Sequence, residues 1–101
     1  MRTLKIHLIR HGATDANYDG RYIGCKTDLP LAPEGLNELR LLKDDIDYPE
    51  IERLYSSPML RCRQTGAVLY PDFEPVMVEE LKEYDFGSFE NKTAAELESN
   101  P

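Results

Sequence analysis

The feature that most constrains this chain is a short apolar run that ends abruptly in a charged tripeptide. Residues 4 to 9 read LKIHLI, and Arg10, His11 and Gly12 follow at once. The run is β-prone, mostly apolar and too brief for a buried helix, so it predicts a buried strand that stops at Arg10. A strand buried on both faces needs helices to cover it, and the rest of the chain must supply them.

It does so by alternation. From Pro33 to about Ile46 the apolar residues Leu36, Leu39, Leu42 and Ile46 recur at helical spacing. Pro33 suits a first turn, and Glu34 favours the positive end of the helix dipole. Residues 51 to 57, IERLYSS, read as a second strand, with Ser57 as cap and Pro58 opening a helix to about Leu69. Residues 75 to 78, PVMV, make a weaker third strand, and residues 93 to 99 begin a helix with Thr93 as cap and Glu96 as its capping-box partner. Between the first strand and the first helix, residues 18 to 32 show no period and read as a long surface loop suited to function. Strands alternating with helices predict an α/β fold with a mostly parallel sheet, its ligands beyond the carboxyl ends of the strands.

Composition narrows the class. A chain of 101 residues is at most one domain with a modest core. Its net charge of −7 argues against nucleic acid or an anionic membrane as partner. No apolar run approaches the roughly 20 residues of a spanning helix, and the N-terminus turns polar too early for a signal peptide, so a cytoplasmic location is expected. Cys25 and Cys62 lack zinc-site spacing and read as reduced thiols.

In such a sheet Arg10, His11 and Gly12 stand where substrates bind. An imidazole there can act as nucleophile or proton carrier, a guanidinium offers paired donors to an oxyanion, and a glycine permits close backbone approach. The second strand ends likewise, placing Arg61 in the first turn of its helix, where free amides favour an anion and a cation opposes the dipole. Arg63 faces another side and reads as a solvated charge, and His7 reads as a packing residue within the first strand. The third strand leads into EELKEYDFGSFEN, whose Glu83 is a candidate proton donor. A partly desolvated carboxyl there would have the raised pKa that general acid catalysis needs. The acids of this stretch lack histidine or cysteine at ligand spacing, so neither metal nor other cofactor is expected.

At these residues the chain resembles the histidine phosphatase superfamily, the phosphoglycerate mutase-like family. LIRHGATDAN is similar to its nucleophile block, GCKTDLPLAPEG to its substrate-side loop, YSSPMLRCRQT to its second arginine block and LKEYDFGSFEN to its acid-donor segment. The resemblance implies a three-layer sandwich, with residues 1–101 forming the N-terminal part of a single domain. It further implies that His11 takes the phosphoryl group and that Arg10 and Arg61 bind its oxygens. Asn17 adds an amide contact, Gly24 belongs to the substrate side, and Glu83 protonates the leaving alcohol. Water then hydrolyses the phosphohistidine. The activity implied is a hydrolase, a phosphomonoesterase acting on a small phosphorylated metabolite such as alpha-ribazole phosphate. The alternatives are mutase-type transfer, against which the missing tryptophan before Asn17 speaks, and a non-catalytic phosphate-binding module.

Three departures stand out. Ala32 occupies a position where the family often has a serine or threonine cap, and Asn91 one where glycine usually follows the glutamate. The family also carries a second catalytic histidine on a later strand, and no histidine follows His11. One lost donor to the transferring oxygens costs on the order of a hundredfold or more in rate, so the 101 residues alone are expected to be inactive or feeble. The family's strand order puts that later strand between residues 4–9 and 51–55. Those edges should therefore stay unpaired unless an absent C-terminal part or a second chain completes the sheet.

Overall fold

The computed structural model describes residues 4–21, 23–83, 90–93 and 95–96. Its elements are α1 (Asp15–Tyr18), α2 (Pro33–Asp45), β1 (Tyr55–Ser56), α3 (Leu60–Leu69) and β2 (Val76–Met77), followed by one 3₁₀ turn, Glu79–Leu81. β1 and β2 pair in parallel, Tyr55 opposite Val76 and Ser56 opposite Met77. The Val76 N–H donates to the Leu54 carbonyl and the Val78 N–H to the Ser56 carbonyl, each at 2.8 Å. Residues 55–77 thus form a parallel strand–helix–strand crossover, as the alternation predicts.

The first strand does not form. Residues 4–9 have no strand pairing, and Leu4, Ile6 and Leu8 are 84%, 74% and 92% exposed. A strand is held by its neighbours, and among the described residues none pairs with it. His7, expected to pack, is accordingly exposed. The second strand contracts to Tyr55–Ser56 for the same reason: only β2 pairs with it.

α2 matches its expected range, with Ile46 as C-cap, and Ala32 caps its start without a side-chain hydrogen bond. Only part of its apolar face is covered. Leu39 is buried, whereas Leu42 and Ile46 remain about half exposed. Leu31, Leu39 and Leu69 form the core, with Leu36, Tyr48, Val68 and Tyr70 packed around them.

α3 starts three residues beyond the expected cap. Ser57 still accepts the Met59 N–H at 3.3 Å, and Asp28, reaching in from the long loop, accepts the Leu60 N–H at 2.7 Å. Its buried stripe is Arg61, Thr65 and Leu69, spaced at i, i+4 and i+8.

α1 was not expected. Thr14 and Asn17 form a reciprocal cap: the Thr14 N–H donates to Asn17 Oδ1 at 2.9 Å, and the Asn17 N–H to Thr14 Oγ1 at 3.3 Å. The Thr93 cap is present, its hydroxyl accepting the Glu96 N–H at 3.1 Å; the remainder of that expected helix lies largely outside the described residues.

Candidate active site

Three chain segments converge beyond the carboxyl ends of β1 and β2. β1 runs through Ser57 into α3, which carries Arg61 at its second position. β2 runs through the 3₁₀ turn to Glu83. The segment carrying Arg10 and His11 is fastened to α3 by Gly12, whose N–H donates to Thr65 Oγ1 at 2.9 Å. That hydroxyl in turn donates to the Arg61 carbonyl at 2.8 Å. The result is a cavity of about 460 Å³ walled by Arg10, His11, Asn17, Arg61 and Glu83, together with Arg21, Ser57 and Cys62.

Arg61 is the most deeply set of these, 1% exposed. Its Nη1 donates to the Thr27 carbonyl at 2.7 Å and its Nη2 to the Gly24 carbonyl at 3.3 Å. Its Nε, equally buried, has no hydrogen-bond partner. A guanidinium so placed is immobilised, and its Nε–H is left without an acceptor. Gly24 is buried and sits behind Arg61 as its acceptor.

His11 is partly buried. Its Nδ1 lies 2.5 Å from the Gly12 carbonyl oxygen. A carbonyl only accepts, so the ring proton is on Nδ1 and the neutral imidazole carries its lone pair on Nε2. Burial is the largest influence on the ring and lowers its pKa. The Gly12 hydrogen bond opposes this, the charges of Arg61 and Arg10 lower it further, and Glu83 pulls the other way.

Gly12 has a structural reason to be glycine. A Cβ there would meet Leu31 Cδ2 at 3.2 Å, so the missing side chain makes room for the core, not for a ligand. Asn17 presents Oδ1 to Thr14, which leaves its amide nitrogen as the donor end. Glu83 is exposed, so the desolvation expected of it is not present. Arg63, as expected, is exposed, its Nε on the Pro58 carbonyl at 3.0 Å.

Sequence reasoning missed three polar wall residues, Ser57, Cys62 and Arg21. Ser57 was read only as a cap, although its place at a strand end was a sufficient signal. Cys62 lies beside Arg61, and burial pushes its thiol pKa up despite a hydrogen bond with Ser57 that lowers it. Arg21 falls in the loop without a period, where no pattern singles it out. Among the described residues no cluster of three or more histidine, cysteine or acidic side chains could hold a metal ion, and no helix is long and apolar enough to cross a membrane.

The parallel strand–helix–strand unit, with Arg10, Arg21 and Arg61 lining a cleft beyond its carboxyl end, defines an α/β scaffold of the open-sheet kind. Residues 6–101 match the Histidine phosphatase superfamily (branch 1), and the chain belongs to that family. It is 28% identical over 96 residues to the adenosylcobalamin/alpha-ribazole phosphatase of Salmonella typhimurium, covering 93% of this chain and 47% of that protein. The crystal structure of Entamoeba histolytica phosphoserine phosphatase in complex with 3-phosphoglyceric acid is similar, with a TM-score of 0.75 and 34% identity, covering 87% of this chain and 44% of that one. So is the alpha-ribazole phosphatase of Shigella flexneri, with a TM-score of 0.76 and 28% identity, covering 91% and 46%. The chain spans about half the length of the curated relatives it matches. The fold is therefore that of the phosphoglycerate mutase-like α/β family, of which these residues show the β1–α3–β2 unit and the preceding helix.

Proposed function

We propose that this chain supplies the nucleophile, the proton donor and the main phosphate grip of a phosphomonoesterase that acts on a small phosphorylated metabolite, with alpha-ribazole phosphate as one candidate. The observation that carries this reading is the buried Arg61, which lines the same cavity as His11 and whose guanidinium keeps an unpartnered Nε. A buried charge keeps an unused donor at a cost, and a phosphoryl oxygen is the ligand that offsets it.

The chemistry follows from the groups present. His11 Nε2 donates its lone pair to phosphorus, and the bond from phosphorus to the ester oxygen breaks. Glu83 in its protonated form gives that oxygen its proton, so the alcohol leaves neutral. Nδ1–H stays on the Gly12 carbonyl throughout and fixes the ring. Water then attacks phosphorus while the Glu83 carboxylate takes its proton, the P–N bond breaks, and phosphate and neutral His11 are regenerated. Arg61, Arg10 and the Asn17 amide hold the three non-bridging oxygens.

With a single imidazole in the cleft, the 101 residues alone should bind anions and turn over feebly. The test is to mix the full-length protein with a phosphorylated substrate and quench. An acid-labile phosphate on His11, absent from His11→Ala, supports the reading; normal turnover in His11→Ala overturns it.

A further inference from the structure

Residues 24–31 of the long loop are fastened to α3 along their whole length. The Leu60 N–H, at the start of the helix, donates to Asp28 Oδ1 at 2.7 Å. Arg61 Nη1 and Nη2 donate to the Thr27 and Gly24 carbonyls at 2.7 Å and 3.3 Å. At the far end of the loop the Leu31 N–H donates to Gln64 Oε1 at 2.6 Å. Arg61, Gln64 and Thr65 stand at i, i+3 and i+4 and so share one side of the helix. Arg61 lines the cleft and Thr65 carries the His11 segment, whereas Gln64 touches the loop alone.

Leu31 is where these ties meet. It is 6% exposed and forms the core with Leu39 and Leu69. Its backbone makes an antiparallel bridge with Thr14, and next to it the Ala32 N–H donates to the Ala13 carbonyl at 2.9 Å. Ala13 and Thr14 directly follow His11 and Gly12. An acceptor for the Leu31 N–H therefore sets the loop and the His11 segment on α3 together. A glutamine suits that place, because its amide oxygen satisfies a buried donor without burying a charge.

We infer that Gln64 is a positioning residue of the phosphate grip. Through Leu31 it sets the loop whose Gly24 and Thr27 carbonyls seat the Arg61 guanidinium, and it keeps that guanidinium in register with His11. This rests on the reading of Arg61 as an anion-binding group. A misplacement of about 1 Å at a reacting centre can cost about a hundredfold in rate. The other ties to α3 remain when that of Gln64 is lost, so roughly a tenfold effect is expected.

The experiment measures vanadate binding by calorimetry in the full-length protein, together with the Arg61 Nε–H signal in a proton–nitrogen correlation spectrum, assigned by its loss in Arg61→Lys. Gln64→Met and Gln64→Ala both remove the acceptor, the first keeping the side chain's length. Each should weaken vanadate binding roughly tenfold and shift the Nε–H signal. In the Arg61→Lys background either change should add less than about twofold, because the guanidinium that Gln64 positions is gone. Leu69→Val, a core change on the same helix, controls for lost stability: it should lower Tm and leave vanadate affinity within about twofold of the unaltered chain. Unchanged vanadate affinity, an unmoved Nε–H signal, or full additivity with Arg61→Lys overturns the role of Gln64 and leaves the grip standing. A loss in Leu69→Val as large as in Gln64→Met overturns it as well, since loosened packing would then account for both. If Arg61→Lys itself binds vanadate normally, the anion reading of Arg61 fails first, and the role of Gln64 with it.

Discussion

Gly12 and Thr65, 53 positions apart, are joined by a hydrogen bond of 2.9 Å that registers the His11 segment on the helix bearing Arg61. Thr65 is 5% exposed and passes the connection on to the Arg61 carbonyl. The His11 segment and the helix carrying the buried cation are thus joined through one hydroxyl.

Thr65→Val keeps the shape and removes the acceptor, leaving the Gly12 N–H without its partner. The expected cost is about 1–3 kcal/mol of stability, read from denaturant unfolding, with weaker vanadate binding in calorimetry. Thr65→Ser should restore most of both. An unchanged anion affinity in Thr65→Val would show that the link does not set the site.

Gly35→Ala and Gly20→Ala should differ in kind. A Cβ on Gly35 would collide with the Ala13 carbonyl oxygen, where α2 crosses the segment that carries the candidate site. Backbone must move, at a cost of about 3 kcal/mol, and Ala32, whose N–H holds that same carbonyl at 2.9 Å, must move with it. A Cβ on Gly20 meets nothing within 4 Å, so only its φ of 69° counts, roughly 1 kcal/mol. Thermal unfolding of the two variants side by side tests the ranking.

These contrasts show what could be read from residues alone. α2 was legible because its apolar spacing and Pro33 are local signals, and the parallel β1–β2 pair because a strand feeding a capped helix implies a crossover. Arg10, His11, Asn17, Arg61 and Glu83 are candidates that the sequence and its resemblance single out, and the fold brings all five to one cavity. Residues 4–9 read as a strand because alternation reports what a segment would bury, not whether a partner is there to pair with it. Arg21 and Asp28 escaped notice because their roles depend on contacts with residues far along the chain, which no local period encodes.

Protonation of His11 should occur at lower pH than the 6.5 of an ordinary imidazole, since burial and two arginines disfavour the charged ring. The unfolded chain then binds a proton that the folded chain does not, in the window between 6.5 and the lower folded value. Stability should fall as pH drops through that window, and above it this group contributes no pH dependence. Arg10→Gln removes one of the opposing charges, so the midpoint should move up. Following the His11 ring proton by NMR titration checks both directions; a midpoint above 6.5 in the unaltered chain would contradict the burial argument.

Arg61→Leu separates the structural from the binding role of the guanidinium. The substitution strips the Thr27 and Gly24 carbonyls of their donors in a site almost closed to water. Hydrogen bonds from a charged group contribute about 1.5–3 kcal/mol each, so the loss should be larger than for any exposed arginine, with Arg63→Leu as the comparison. Arg61→Lys retains a charge but offers no planar fork, and a single nitrogen cannot reproduce the spread of Nη1, Nη2 and Nε over two carbonyls and an oxyanion. It should regain part of the stability and little of the vanadate affinity. Because the unpartnered Nε is what the anion reading uses, vanadate binding in Arg61→Lys equal to that of the unaltered chain would mean that the buried guanidinium only pins the loop.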